Sequence, residues 1–441
     1  MTHRIWLTAL TGFGVLGAAS VSIAAEQSLV QRGEYLARAG DCVACHTAPD
    51  GKPFAGGLEI ESPFGTIVST NITPDPDVGI GDYTRDEFAA ALREGKRADG
   101  SNLYPAMPYP SYAKLSDADI DALYAYFMQE VEPVADESPE SDVSFPFNQR
   151  WGISLWNWLF ADAGAFEPSG QSTEQVERGA YLVQGLGHCG RCHTPRGLMF
   201  QEKALDDSDD SYLSGETLGG WWAPNLRGGG DGHDGLQAWS ADDIVDYLAT
   251  GRNHHGAVVG EMTSVVANST SYLNDEDLRS IAAYLKSLPR QAGSEQEVSS
   301  QTSSAQTERL LTAADVGEAP GARLYLDNCN ACHFANGRGA PQVFPSLNDN
   351  ALVNADDPTG LIHVILAGAR MPSTPKKPEA LAMPDFGWRL SDEEVAQLAT
   401  FVRGGWGNRG GEVTADQVAE VRKALPDDLE SSAPDFPSQS H

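Results

Sequence analysis

The sequence predicts an all-α protein made of three tandem domains of one design, and three observations carry that prediction. A Cys-x-x-Cys-His motif occurs three times, as CVACH at residues 42–46, CGRCH at 189–193 and CNACH at 329–333. Each copy follows a similar helical lead. Each repeat then ends in an amphipathic segment that aligns with the other two without a gap.

The leads are RGEYLARAGDC from Arg32, RGAYLVQGLGHC from Arg178 and GARLYLDNC from Gly321. A glycine on a helix face lets a second helix approach closely, so the leads are expected to pack on a partner. After each motif comes a loop rich in Gly and Pro, then an amphipathic stretch ending in glycine: FAAALREG to Gly95, IVDYLATG to Gly251 and LIHVILAG to Gly368. Those glycines are expected to cap helices. The closing segments are LSDADIDALYAYF from Leu115, LNDEDLRSIAAYL from Leu273 and LSDEEVAQLATFV from Leu390, each with a Ser or Asn cap and an acid three residues on. Helical spacing puts Ile120, Leu123 and Phe127 on one face, Leu278, Ile281 and Leu285 on the second, and Val395, Leu398 and Val402 on the third.

This organisation predicts domains at residues 26–135, 173–290 and 313–408. An aromatic linker (136–172) and a polar, flexible linker (291–312) join them, and an acidic tail (409–441) follows. Residues 1–25, with His3 and Arg4 before an apolar run and small residues ahead of Glu26, are expected to form a signal peptide for Sec export. Asp and Glu total 62 against 30 Lys and Arg, a formal net charge of −32, which argues against nucleic-acid binding.

All six cysteines fall in the three motifs. A shuffled chain of this composition would hold roughly 0.002 such matches, so the motifs carry chemistry. Two thiols three residues apart on one turn can each add across a vinyl group of the same porphyrin, and the adjacent imidazole then reaches the iron. Zinc sites and redox dithiols explain the pairs less well, because His directly follows the second Cys every time. The prediction is three covalently bound haem c groups, on Cys42 and Cys45, Cys189 and Cys192, and Cys329 and Cys332, with His46, His193 and His333 as proximal ligands.

Of the seven methionines, Met1 goes with the leader, Met128 lies inside a closing helix and Met199 is too near the second motif. Met107, Met262 and Met383 each sit just ahead of a closing helix, the same place in all three repeats. Met371 competes with Met383, but AMPDF around Met383 echoes AMPYP around Met107. His254 and His255 are an alternative ligand pair for the second haem. In LYPAMPYPSY, Pro105 and Pro108 restrict the backbone around Met107, and the flanking tyrosines can shield an iron from water.

The chain resembles the triple-haem cytochrome c subunits of membrane-bound bacterial alcohol, gluconate, sorbitol and fructose dehydrogenases. The resemblance covers residues 26–408 and rests on DCVACHTAPDGKPFAGG, STNITPDPDVGIGDYT, LYPAMPYPSY, HCGRCHTPRG, APNL, FPSLNDN and FVRGGWGN. It implies three class I cytochrome c domains, with axial pairs His46 with Met107, His193 with Met262 and His333 with Met383. It also implies an electron-transfer subunit with no catalytic residues of its own. Electrons would come from a flavoprotein or quinoprotein dehydrogenase large subunit, alongside a small subunit where one exists, and pass to ubiquinone or a terminal oxidase at the periplasmic face of the cytoplasmic membrane. The polar, acidic sequence after Asn408 departs from the apolar end expected of a membrane-associated relative. The alternative is a stand-alone periplasmic multihaem carrier or oxidase-linked cytochrome c. A haem enzyme would need an open iron position, against which the three methionines argue.

In the aromatic linker, Trp151, Leu155, Trp158 and Leu159 share a helical face. That face either covers the junction of two haem domains or docks the dehydrogenase or bilayer. The polar linker, as a free coil, would reach roughly 23 Å and leave the third domain mobile.

Overall fold

Each repeat closes where a lead helix meets a closing helix across a glycine. In the computed structural model, which describes residues 14–161, 164–228, 235–291, 300–317 and 319–425, the lead helices are Gly14–Ala39, Glu174–Tyr181 and Pro320–Asn328. The closing helices are Asp117–Gln129, Asp275–Ser287 and Asp392–Gly404. A Cβ on Gly33 would lie 2.0 Å from the carbonyl oxygen of Ala122; on Gly179 it would lie 1.9 Å from that of Ser280, and on Gly321 2.2 Å from that of Gln397. Only a hydrogen fits at these crossings.

Charge secures the same crossings in two repeats and not in the third. Arg32 meets Asp119 at 2.5 Å and Arg178 meets Asp277 at 2.7 Å. Where those arginines stand, the third repeat has Pro320, and its acid Glu394 folds back to accept the backbone N–H of Ser391 at 2.9 Å in a capping box. The second lead has one residue more than the first between its glycine and its cysteine, and a π-helical turn at Leu182–Leu186 follows the lead helix there. The expected apolar faces are buried: Ile120, Leu123 and Phe127; Leu278, Ile281 and Leu285; Val395, Leu398 and Val402. The intervening helices Arg85–Glu94 and Ala241–Thr250 end on Gly95 and Gly251 in the left-handed conformation, and Thr359–Ala367 ends on Gly368.

One expectation is met in its coarser form and three need correction. The chain is largely helical but not purely so. Glu59–Ser62, Gly65–Val68 and Asp142–Val143 form a three-stranded antiparallel sheet, with Ser62 opposite Gly65 and Thr66 opposite Asp142. Two-stranded ribbons join Glu216–Leu218 to Trp221–Ala223 and Ala369–Arg370 to Ala382–Met383. Such short strands are too brief for a period-two pattern to stand out.

The polar linker is not a free coil: residues 292–299 lie outside those described, but Ser300–Ala313 is helical and Leu311 is buried in the third core. The region after residue 408 is not all tail. Ala415–Ala424 is a helix capped by Thr414, Val413, Val418 and Val421 enter the third core, and Arg422 bonds Asp392, Gly387 and Leu390. Its apolar residues recur at helical spacing inside an acidic composition. Residues 426–441 lie outside those described, as do residues 1–13 of the leader; from Gly14 the leader runs into the first lead helix.

Residues 1–166 form one compact unit and 167–441 a second. Inside the second unit the third repeat is fastened to the second rather than free. Lys376 Nζ lies 2.5 Å from Asp275 Oδ1, Gln342 Nε2 donates to Asp246 Oδ2 at 3.2 Å, and His363 packs edge-on against Trp221 with ring centroids 4.6 Å apart. In the first unit the aromatic segment forms helix Arg150–Phe160, packed on the loop that carries Met107. Asn102 Nδ2 donates to the Arg150 carbonyl, and the Arg150 guanidinium lies over the Tyr104 ring. Trp151, Leu155, Trp158 and Leu159 remain exposed, Trp158 at 76%.

Candidate functional site

The three Cys-x-x-Cys-His motifs fold into single helical turns, Cys42–Cys45, Gly190–His193 and Asn330–His333. In each, the histidine N–H donates to the carbonyl of the first cysteine four residues back, at 3.0 Å in every copy. That bond puts both thiols and the imidazole on one turn. None of the six cysteines is paired in a disulfide. Burial pushes the leading thiols, Cys42, Cys189 and Cys329, up to about 12, so they stay protonated at neutral pH. What separates these turns from zinc or dithiol sites is the histidine directly after the second cysteine in every copy.

Each imidazole makes the same second contact. Nδ1 of His46 lies 2.7 Å from the carbonyl of Thr70, Nδ1 of His193 2.8 Å from that of Pro224, and Nδ1 of His333 3.0 Å from that of Pro345. Burial lowers the pKa of all three rings against the opposing effect of that hydrogen bond, so they are neutral. A neutral ring with Nδ1–H committed to a carbonyl presents its lone pair on Nε2, as an iron ligand must. Donor set and tautomer therefore fit a covalently held haem.

The carbonyl partners were not foreseen from the sequence. They begin three similar triplets, TNI, PNL and PSL, which lie in stretches that carried the family resemblance. Asn71 Oδ1 accepts from the N–H of Thr73 and Asn225 Oδ1 from that of Arg227, both at 2.8 Å, so a side-chain turn aims the carbonyl one residue before it. The separations from histidine to carbonyl are 24, 31 and 12 residues, and such uneven spacing hides the correspondence.

The methionines occupy three different local structures. Met107 is half-buried between two backbone bonds, its N–H to the Tyr104 carbonyl at 3.2 Å and the Tyr109 N–H to its own carbonyl at 2.9 Å. Tyr109 is fully buried and donates its hydroxyl to Asn157 Oδ1, while Tyr112 donates to the Gly40 carbonyl. Met262 is half-buried in the first turn of helix Glu261–Asn268. Met383, on the strand Ala382–Met383, packs with Cys329 on the hydrophobic core of the third repeat. Met371 points its sulfur elsewhere, with Arg252 Nη1 3.6 Å from Sδ. His254 and His255 both face Asp243, at 2.9 and 3.5 Å.

A family model for cytochrome c matches residues 30–130 and 318–406. The chain is 48% identical over 419 residues to the gluconate 2-dehydrogenase cytochrome c subunit of Pantoea cypripedii, covering 93% of this chain and 94% of that one. It is 48% identical over 404 residues to the cytochrome c subunit of the quinone alcohol dehydrogenase of Gluconobacter oxydans (strain 621H), at 90% and 83% coverage. It is also 39% identical over 417 residues to the fructose dehydrogenase cytochrome subunit of Gluconobacter japonicus, again at 90% and 83% coverage.

Proposed function

Because the chain belongs to the cytochrome c subunits of dehydrogenases and transfers electrons on covalently bound haem, we propose that it carries three haem c groups in three tandem class I domains. We propose domain limits of residues 26–135, 173–290 and 313–408, the third extended by the helix Ala415–Ala424. Bound haem supplies reversible one-electron chemistry, and the chain sets its attachment, ligation and shielding.

The observation that supports three sites most strongly is the common bond from Nδ1 of His46, His193 and His333 to a backbone carbonyl, at 2.7, 2.8 and 3.0 Å. In this reading Cys42, Cys45, Cys189, Cys192, Cys329 and Cys332 hold the thioethers. His46, His193 and His333 are the proximal ligands, and Met107, Met262 and Met383 the distal ones. The packing of Met383 on the same core as Cys329, with the Met371 sulfur against Arg252, favours Met383 in the third domain. A methionine ligand raises the potential and closes the iron to substrates, which suits electron transfer and leaves oxidation of the substrate to a partner.

The proposed donor is a flavin- or quinocofactor-bearing dehydrogenase large subunit, alongside a small subunit where one exists, and the acceptor is ubiquinone or a terminal oxidase. The proposed location is periplasmic, after Sec export, at the outer face of the cytoplasmic membrane. Among the described residues no helix is long and apolar enough to cross a membrane. Two measurements test the reading. Haem quantified against protein gives three per chain, falling to two when Cys329 and Cys332 are both replaced by Ala; two in the unaltered chain would overturn it. Purification from membranes recovers a dehydrogenase subunit with this chain, whereas recovery alone, without dehydrogenase activity, would support the stand-alone carrier.

A further inference from the structure

Asp243, His254 and His255 form a cluster apart from the attachment turns, with one ligand atom of each within 4.8 Å of the other two. Nδ1 of His254 lies 2.9 Å from Asp243 Oδ1, and Nε2 of His255 lies 3.5 Å from Asp243 Oδ2. In a tetrahedral site with bonds of roughly 2.1 Å, ligand atoms stand about 3.4 Å apart, and here the two ring nitrogens approach the two different oxygens of one carboxylate at distances of that order. We propose that the cluster binds a divalent transition cation of the zinc class, held by two imidazoles and one carboxylate with a fourth position left to water.

The ligands are held before any ion arrives. Trp239 stacks on His255 with ring centroids 5.0 Å apart and planes 8° from parallel, which fixes that imidazole. Ser240 donates from its backbone N–H and its hydroxyl to Asp243 Oδ2, at 2.8 and 2.7 Å, which orients the carboxylate. Asn253 Oδ1 accepts the N–H groups of His255 and Gly256, which tightens the turn carrying both histidines. His254 is 55% exposed, which gives an ion a way in.

The protonation states agree with this geometry. Burial, and then the neighbouring His254, lower the His255 pKa, and the Ser240 hydrogen bonds hold the Asp243 carboxyl below its usual range against the opposing pull of burial. The two imidazole rings, 4.0 Å apart by centroid, face one carboxylate, so protonating both would place two cations side by side. A single divalent ion satisfies all three groups at once.

This site would also have a structural consequence. The turn it fixes receives the third repeat: the Gln342 N–H donates to the Asn253 carbonyl and Asn350 Nδ2 to the His255 carbonyl, both at 3.4 Å. A bound cation would stiffen that seat. The test is calorimetric titration of the full haem-loaded chain with Zn²⁺ after chelator treatment. The expected result is one saturable site of micromolar or tighter affinity, weakened at least about 100-fold in His254→Gln with the haem spectrum unchanged. Asp243→Asn, which keeps an amide oxygen for Ser240, is a second variant expected to behave alike. No saturable binding, or His254→Gln binding as tightly as the unaltered chain, would overturn the proposal.

Discussion

Nη1 of Arg252 lies 3.6 Å from Sδ of Met371, across the contact between the second and third repeats. Arg252 is buried and its guanidinium also reaches Glu379 at 3.8 Å, so the sulfur of Met371 serves a contact between repeats. That contact supports the proposal of Met383 over Met371 as the third distal ligand. Met383→Ala is expected to remove one haem's share of the sulfur-to-iron absorption band, and Met371→Leu to leave that band whole. The opposite pattern would reverse the ligand assignment.

The glycine crossings predict a steep steric cost. In Gly179→Ala the new methyl would meet the Ser280 carbonyl at 1.9 Å and Cβ of Tyr284 at 2.7 Å, and neither atom belongs to a flexible chain end. A loss of about 3 kcal/mol is expected, read as a fall in the melting temperature of the second unit. Gly152, in the helix Arg150–Phe160, faces open space, and Gly152→Ala should instead gain about 0.5 to 1 kcal/mol.

Removing one arginine separates the repeats by another route. Asp277 is buried and accepts two bonds from Arg178, at 2.7 and 2.9 Å. Arg178→Ala leaves that carboxylate without these bonds and should cost about 2 to 3 kcal/mol, measured by denaturation. The third repeat has no counterpart of this pair, and Pro320→Arg is expected to change stability by less than about 0.5 kcal/mol because Glu394 is already engaged in its cap.

The exposed aromatic face gives a surface prediction. Trp151 and Trp158 are 75% and 76% exposed, whereas Trp156 is half-buried edge-on to Tyr109 behind the Met107 loop. If that face docks the proposed dehydrogenase partner or the bilayer, replacing Trp151 and Trp158 by Ser should leave haem spectra unchanged and move the chain from the membrane fraction to the soluble one. Unchanged fractionation would leave that face without a docking role.

Loss of one turn-aiming side chain should be felt at the iron. Asn71 is buried and ties the TNI triplet to the carbonyls of Val134 and Asp136 as well as to Thr73. Asn71→Ala loosens the Thr70 carbonyl from His46, makes the imidazole a weaker donor to the metal, and should raise the potential of the first haem alone. Spectroelectrochemical titration resolves that shift.

What the sequence made legible follows from helical periodicity. The attachment turns, the three closing helices and the glycine-bearing leads each keep their own internal pattern and recur in the same order, so comparing the copies exposes them. The carbonyls of Thr70, Pro224 and Pro345 stayed hidden because the loops between them and their histidines differ in length. The helix Ala415–Ala424 stayed hidden for another reason: its buried Val418 and Val421 sit among charges that dominate local composition. Contacts between repeats, such as Lys376 with Asp275, pair residues 101 apart and have no local signature.

The fastening of the third repeat to the second bears on kinetics. With Gln342 on Asp246 and His363 against Trp221, the attachment turns at His193 and His333 belong to one body. An electron crossing between them would meet a constant gap instead of waiting for a tethered module to swing into range, so thickening the solvent should leave that step's rate unchanged.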